Sequence, residues 1–148
     1  MRLNQASDFA LRIVMQCALQ PEISITVSDV VTKQNLSRAH VMKLVARLGR
    51  TGILRTIRGR SGGFRLGREA STISIGDVVR AVEADFAVVA CMQPSDGECI
   101  DCCFLSSCSI KGVMHRAVRA FMKELDSASI EDMCKKMPLP EIFKHQMT

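Results

Sequence analysis

The chain has no tryptophan and no tyrosine, and only six phenylalanines among 148 residues. Flat aromatic platforms on which single-stranded bases stack are therefore scarce, which argues against a single-strand binder. No apolar run approaches the ~18–20 residues that a membrane-spanning helix needs. The opening stretch, MRLNQASDFALRIVMQ, is interrupted by Asp8 and Arg12 and lacks the unbroken apolar region and small-residue cleavage site of a secretion signal. It reads as the start of a cytoplasmic protein. No internal repeat or low-complexity segment is evident. Two local absences carry more information. From Arg47 to Arg68 there is no acid, against seven arginines. Between Ala81 and Ile110 there is no lysine or arginine, against five acids: Glu83, Asp85, Asp96, Glu98 and Asp101.

Apolar residues make up 47% of the chain, enough for the core of one compact domain or of a small domain with an extension. The net charge of +5 is the sum of +7 in the arginine-rich stretch and −2 elsewhere. So concentrated a charge suggests a footprint for a polyanion, with a solvated basic face as the plainer alternative. Of seven cysteines, five fall between Cys91 and Cys108. In a reducing compartment a clustered, odd-numbered set points to metal or redox chemistry before a disulfide framework.

Residues Gln5–Leu19 place Ala6, Phe9, Ala10, Ile13, Val14, Cys17 and Ala18 on one helical face, so Cys17 reads as a small core residue. Asp8 near the start of that helix suits its positive end. Thr26-Val-Ser-Asp29 is a capping box that starts a short helix through about Gln34. Asn35-Leu36 makes a turn, and Ser37 caps a second helix through about Arg50, with Gly49 and Gly52 ending it. Ile53–Ile57 and Phe64–Leu66 read as strands around the glycine-rich tip RGRSGG, so a hairpin follows the helix-turn-helix. Ser74-Ile-Gly-Asp77 opens a helix through about Glu83. A longer helix begins near Ile110 with Val113, Met114, Ala117, Val118, Phe121, Met122 and Leu125 on one stripe. Ser129-Ile-Glu-Asp132 starts a final short helix that Pro138 and Pro140 stop. The expected fold is mainly α with a small β-hairpin wing. Residues 1–83 form a winged helix-turn-helix, 84–109 a cysteine loop, and 110–148 a long dimerisation helix with a C-terminal segment.

At ~100° per residue, Val41, Leu44, Val45 and Leu48 face the core, while Ala39, Met42, Lys43, Ala46 and Arg50 face outward and Arg38 lies at the flank. The N-terminal residues of a second helix reach base edges in duplex DNA, which nominates Arg38, Ala39, Met42 and Lys43 for readout. Met42 offers only apolar contact, and partial core packing is its alternative. Arg58 and Arg60 on the glycine-rich tip suit a narrow minor groove. Arg55, Arg65 and Arg68 suit phosphates, as does Ser28 near a helix start.

Thiolates need positive neighbours or a metal, and the acidic surroundings supply no positive charge, so a bound cation must provide it if these sulfurs are ligands. Cys99-x-x-Cys102 resembles half of a zinc site without a completing pair, and His115 reads as solvated. Spacing alone leaves iron–sulfur and zinc level, with a metal-free thiol switch behind them. A low-pKa nucleophile is disfavoured and no Cys–His pair is suggested. No catalytic residue is assigned and no enzyme is expected.

The motifs MRL, SDFALR at 7–12, LSRAHVMKL at 36–44, IRGRSGGFRLG at 57–67, ISIGDVVRAVE at 73–83 and FMKELDSASIEDM at 121–133, together with the cysteine loop, resemble one family. It is the winged-helix family of iron–sulfur transcription regulators that includes NsrR, IscR and RirA, with NsrR most alike. The resemblance runs from Met1 to about Phe143. It implies a homodimeric repressor on a pseudo-palindromic operator in double-stranded DNA, and no membrane partner. It further implies a cluster, 4Fe-4S in preference to 2Fe-2S, held by Cys91, Cys102 and Cys108. The last two of these keep the family's five-residue separation. The gap from Cys91 to Cys102 is longer than usual, so Cys99 or Cys103 stands as a spare ligand. In NsrR-like proteins an aspartate of the first helix reaches the other subunit's cluster, and Asp8 occupies that position. The implied signal is nitric oxide. Iron or redox sensing in the manner of RirA, or a zinc or thiol-switched DNA-binding protein, is the alternative.

Overall fold

The structure, a computed structural model, describes residues 3–59, 62–93, 102, 104, 108–138 and 140–144. Helix α1 spans Gln5–Leu19 and begins where the Asn4 side chain accepts from the Ala6 amide. Helix α2, Val27–Gln34, is opened by Thr26 and Asp29, each side chain bonding the other's backbone amide. Asn35 adopts a left-handed conformation (φ 52°), which turns the chain into Ser37, the cap of α3, Arg38–Arg50. Local hydrogen bonds of Thr, Ser and Asp side chains to backbone amides satisfy donors that a helix start leaves orphaned, which is why these boundaries are sharp. Gly49 lies inside the last turn of α3 rather than ending it. The stop comes at Gly52, whose φ of +73° few side chains tolerate.

Strands β1 (Leu54–Ile57) and β2 (Gly63–Leu66) pair antiparallel, with Leu54 opposite Leu66, Arg55 opposite Arg65 and Thr56 opposite Phe64. Ile25, just before α2, adds a bridge to Phe64 through hydrogen bonds of 3.0 and 2.8 Å. A side chain at Gly63 would meet the Ile25 carbonyl oxygen at 2.5 Å, so this close approach requires glycine. The hairpin follows the helix-turn-helix directly, making a winged helix that is mainly helical.

Helix α4 (Ile75–Val82) starts at the Ser74–Asp77 box and is followed by α5 (Ser109–Ser127), α6 (Ile130–Lys135) and α7 (Glu141–Lys144). The Ser129–Asp132 box opens α6. The starts of α4 and α6 are joined by backbone bonds from Ile75 to the Ala128 carbonyl (3.0 Å) and from Ile130 to the Ile73 carbonyl (2.8 Å). Ile13, Val14, Ile25, Val41, Leu48, Ile53, Ile73, Val78 and Ile130 are buried in one core. The C-terminal α6 therefore packs against the elements that precede the cysteines. By contrast α5 has one buried residue, Met122, and carries exposed Ile110 and Val113. Its C-terminal end is fixed by Arg80, which donates to both carboxylate oxygens of Asp126 at 2.6 and 2.5 Å.

The capping carboxylates make stability acid-sensitive. Burial alone would push Asp77 up, but hydrogen bonds from Arg68 and Ser74 outweigh it and hold the carboxyl below its usual range. The Ser129 hydroxyl and amide likewise lower Asp132. A lowered carboxylate pKa contributes stability above the unfolded value of ~3.9, and that contribution disappears as pH falls through the lowered folded value. Thermal melts should show a midpoint flat from neutrality to about pH 5 and a decline below about pH 4. Asp77→Asn should blunt the decline, and an equally steep acid limb in that variant would remove Asp77 as a cause.

Candidate nucleic-acid interface and metal centre

Helix α3 presents two chemically distinct faces. Val41, Leu44, Val45 and Leu48 are buried, while Ala39, Met42, Lys43, Ala46 and Arg50 are exposed. Met42 is 54% exposed, which decides against core packing. The two alanines keep this face low, so the backbone can approach a groove closely. Arg38 and Ser28 are brought together at the α2–α3 edge, where the Arg38 guanidinium donates to the Ser28 hydroxyl at 3.4 Å. Both are exposed, and the pair offers donors to an anion beside the helix.

The seven arginines divide once folded. Arg47 donates to the Val82 carbonyl at 2.8 Å, closing the C-terminal end of α4. Arg65 donates to the Ser24 hydroxyl at 3.3 Å. Arg68 pairs with Asp77 at 2.8 Å and also bonds the Thr72 carbonyl. Arg68 is thereby neutralised, which sets it apart from the phosphate role expected of it. Arg50, Arg55 and Arg58 are exposed on the helix end and hairpin. Arg60 lies outside the described residues.

The cysteines fall on three kinds of backbone. Cys91 is half-buried in a single 3-10 turn, Ala90–Met92. Cys102 is exposed, and Cys108 is half-buried at the start of α5. All three are free thiols, as are Cys17 and Cys134. Cys99 and Cys103, the spare ligands, lie outside the described residues. Among the described residues, no three His, Cys, Asp or Glu side chains stand close enough to hold a metal ion. The donor chemistry nevertheless fits a soft thiolate-ligated group. The longest helix starts at Cys108 without a side-chain cap and with no acid in its first turn, whereas Asn4, Thr26, Ser37, Ser74 and Ser129 each cap theirs. A negative charge at a cysteine there would suit the positive end of this helix. Cys17 is a different case: it is 2% exposed, and burial pushes its thiol up to about 12, as suits a core residue.

Asp8 sits in the first turn of α1, half-exposed and ion-paired with Arg12 at 2.7 Å. Beside it, the Ser7 hydroxyl and, from the cap position, the Asn4 amide both donate to Glu83, at 2.5 and 2.9 Å. Glu83 follows the last residue of α4 and leads into the cysteine segment. The sequence reading missed this knot, and no local pattern signals it, because its partners are 76 and 79 positions apart. His40, on the α3 edge facing α1, was also missed, although His40, Lys43 and Arg47 recur at helical spacing.

Several solved structures share the fold. The global cysteine regulator CymR of B. subtilis matches with a TM-score of 0.72 at 24% identity, over 93% of this chain and 99% of that one. IscR of T. potens matches with a TM-score of 0.70 at 22% identity, over 97% and 96%. Sequence relatives are closer. The HTH-type transcriptional regulator NsrR of Bacillus subtilis is 34% identical over 136 residues, 91% of each chain. Protein aau3 of Rhizobium meliloti is 33% identical over 138 residues, 93% of this chain and 88% of its own. Among the described residues no helix is long and apolar enough to cross a membrane. The NsrR relative is a transcriptional regulator and not an enzyme, and the Rrf2 profile, described as an iron-dependent transcriptional regulator, matches residues 3–136. The chain belongs to the Rrf2 family of transcriptional regulators.

Proposed function

We propose that this regulator is a cytoplasmic homodimeric repressor whose operator affinity is set by an iron–sulfur cluster, 4Fe-4S, and that nitric oxide is its signal. The observation that carries the reading is the placement of three free thiols, Cys91, Cys102 and Cys108, on the stretch joining the end of α4 to the start of α5. Cys91 follows the winged helix, and Cys108 begins the helix whose exposed Ile110 and Val113 would pack against a second copy. Holding all three cysteines together fixes α5 relative to α3, and releasing them frees it. Cys91, Cys102 and Cys108 would hold the cluster, whose iron would supply reactivity toward nitric oxide, and an effector acts only through its different affinity for the two arrangements. Arg38, Ala39 and Met42 then read bases, Ser28 meets a phosphate, and Arg58 and Arg60 enter a minor groove. The dimer spans half-sites about 34–36 Å apart.

Purification without oxygen tests this directly. Coloured protein with iron and sulfide at 4Fe-4S stoichiometry, losing its operator on nitric oxide addition, is the expected result. Pale, iron-poor protein that still binds and releases its operator would overturn it. The family's description as iron-dependent favours a second reading, in which iron supply is the signal. In that case an iron chelator, and not nitric oxide at matched cluster loss, releases the operator.

Asp8 of the partner subunit is proposed as the fourth ligand. Its ion pair with Arg12 is exposed and contributes no more than about 1 kcal/mol. Asp8→Ala should therefore melt like the native protein, retain part of its iron, and respond differently to nitric oxide in stopped-flow absorbance. An unchanged response would return Asp8 to the role of a helix-start carboxylate.

A further inference from the structure

We infer that the cavity between α1 and α3 receives a backbone phosphate of duplex DNA, and that Lys43 binds this phosphate and not a base; the inference rests on the operator-binding reading above. The cavity has a volume of about 230 Å³ and is walled by Asn4, Gln5 and Phe9 on one side and His40, Lys43 and Arg47 on the other. Among the described residues no acid lines it, and His40, Lys43 and Arg47 do. His40 and Lys43 are exposed at its mouth.

Helix geometry says where it lies relative to a groove. At ~100° per residue, His40 and Arg47 lie about 160–200° around α3 from Arg38, and Lys43 stands between them and the outward face of Ala39 and Ala46. The Arg38–Ser28 pair thus marks one edge of the helix and the cavity marks the other. A helix of ~10–12 Å diameter fills a major groove of ~12 Å, so both its edges meet a sugar–phosphate strand. One strand runs past Ser28, and the opposite strand past His40 and Lys43. Arg47 is held by the Val82 carbonyl and so stands as a fixed charge at the back of the cavity. Phosphate contacts position a helix, whereas base contacts confer sequence preference, so the two assignments for Lys43 predict different data.

The test uses the full chain purified without oxygen, a duplex selected from random sequence for tight binding, and an unrelated duplex of equal length. Fluorescence anisotropy is read from 50 to 200 mM salt for the native protein, Lys43→Gln and His40→Gln. Both side chains are exposed, so melting temperatures should be unchanged. Each variant should weaken both duplexes by the same factor, and Lys43→Gln should flatten the log–log salt slope by about 0.9. One contact thus makes its deficit about threefold smaller at the upper salt than at the lower. Weakening confined to the selected duplex, with lost preference at one base pair, would make Lys43 a base reader and overturn the inference. So would unchanged binding. Inorganic phosphate binding at the His40 ring, seen by proton NMR, without competition from duplex would make this a small-anion site and likewise overturn it. Native protein that binds neither duplex at any salt would fail the operator reading itself, whereas native binding with unaltered variants fails only this inference.

Discussion

Cys102→Ala should yield colourless protein that binds its operator at least about tenfold more weakly, within the usual 5–150-fold range of allosteric coupling. The side chain is exposed and its thiol is free, so alanine removes little packing and the fold is retained. Any loss of operator binding must then come through what the thiol holds. Visible absorbance, iron content and anisotropy read the effect, and a melting curve coincident with native protein shows that folding is intact. Cys17→Ala is the matched contrast. Cys17 is buried in the core against α1's neighbours, so its replacement should lower the melting temperature and leave the iron content unchanged. A Cys102→Ala protein with full colour, or with tight binding in the absence of iron, would end the proposed mechanism.

Ile130→Ala should cost about 2–5 kcal/mol, the usual price of deleting a fully buried branched side chain that its surroundings cannot refill. Ile130 is 0% exposed, and its amide is bonded to the Ile73 carbonyl. For a chain of this size each kcal/mol moves the melting temperature by roughly 2–4 °C, so a shift on the order of 10 °C is expected. Ile110→Ala removes a side chain that is 60% exposed in the protomer and should leave that protomer's stability nearly unchanged. Denaturant titration at low protein concentration separates the two. Equal losses would mean that α6 contributes no more to the core than the exposed stripe of α5 does.

What the sequence disclosed follows from the range of the interactions. The boxes at Thr26, Ser74 and Ser129 and the cap at Ser37 involve residues three apart, so their side chains announce the helix starts that the structure contains. The split of α3 into Val41, Leu44, Val45 and Leu48 against Ala39, Met42 and Lys43 follows from helical period alone, as does the burial of Cys17. Partners far apart in sequence were not legible. Counting arginines gave one basic stretch, yet Arg47, Arg65 and Arg68 bond Val82, Ser24 and Asp77 once the chain folds. Glu83 looked like one acid among five, and only tertiary structure makes it the acceptor for Ser7 and Asn4. Choosing among the thiols depended on family resemblance because spacing has no local hydrogen bond to fix it.

The clamp between the beginnings of α4 and α6 has a mechanical meaning. Together with Arg80 and Asp126 it pins the far end of α5, while Cys108 lies 18 residues before Asp126, about 27 Å along the axis. The helix is a lever with its fulcrum at Asp126. A swing of about 5° there displaces the Cys108 tip by about 2.5 Å, so a sub-ångström adjustment at the fulcrum becomes a shift of atomic size at the thiol.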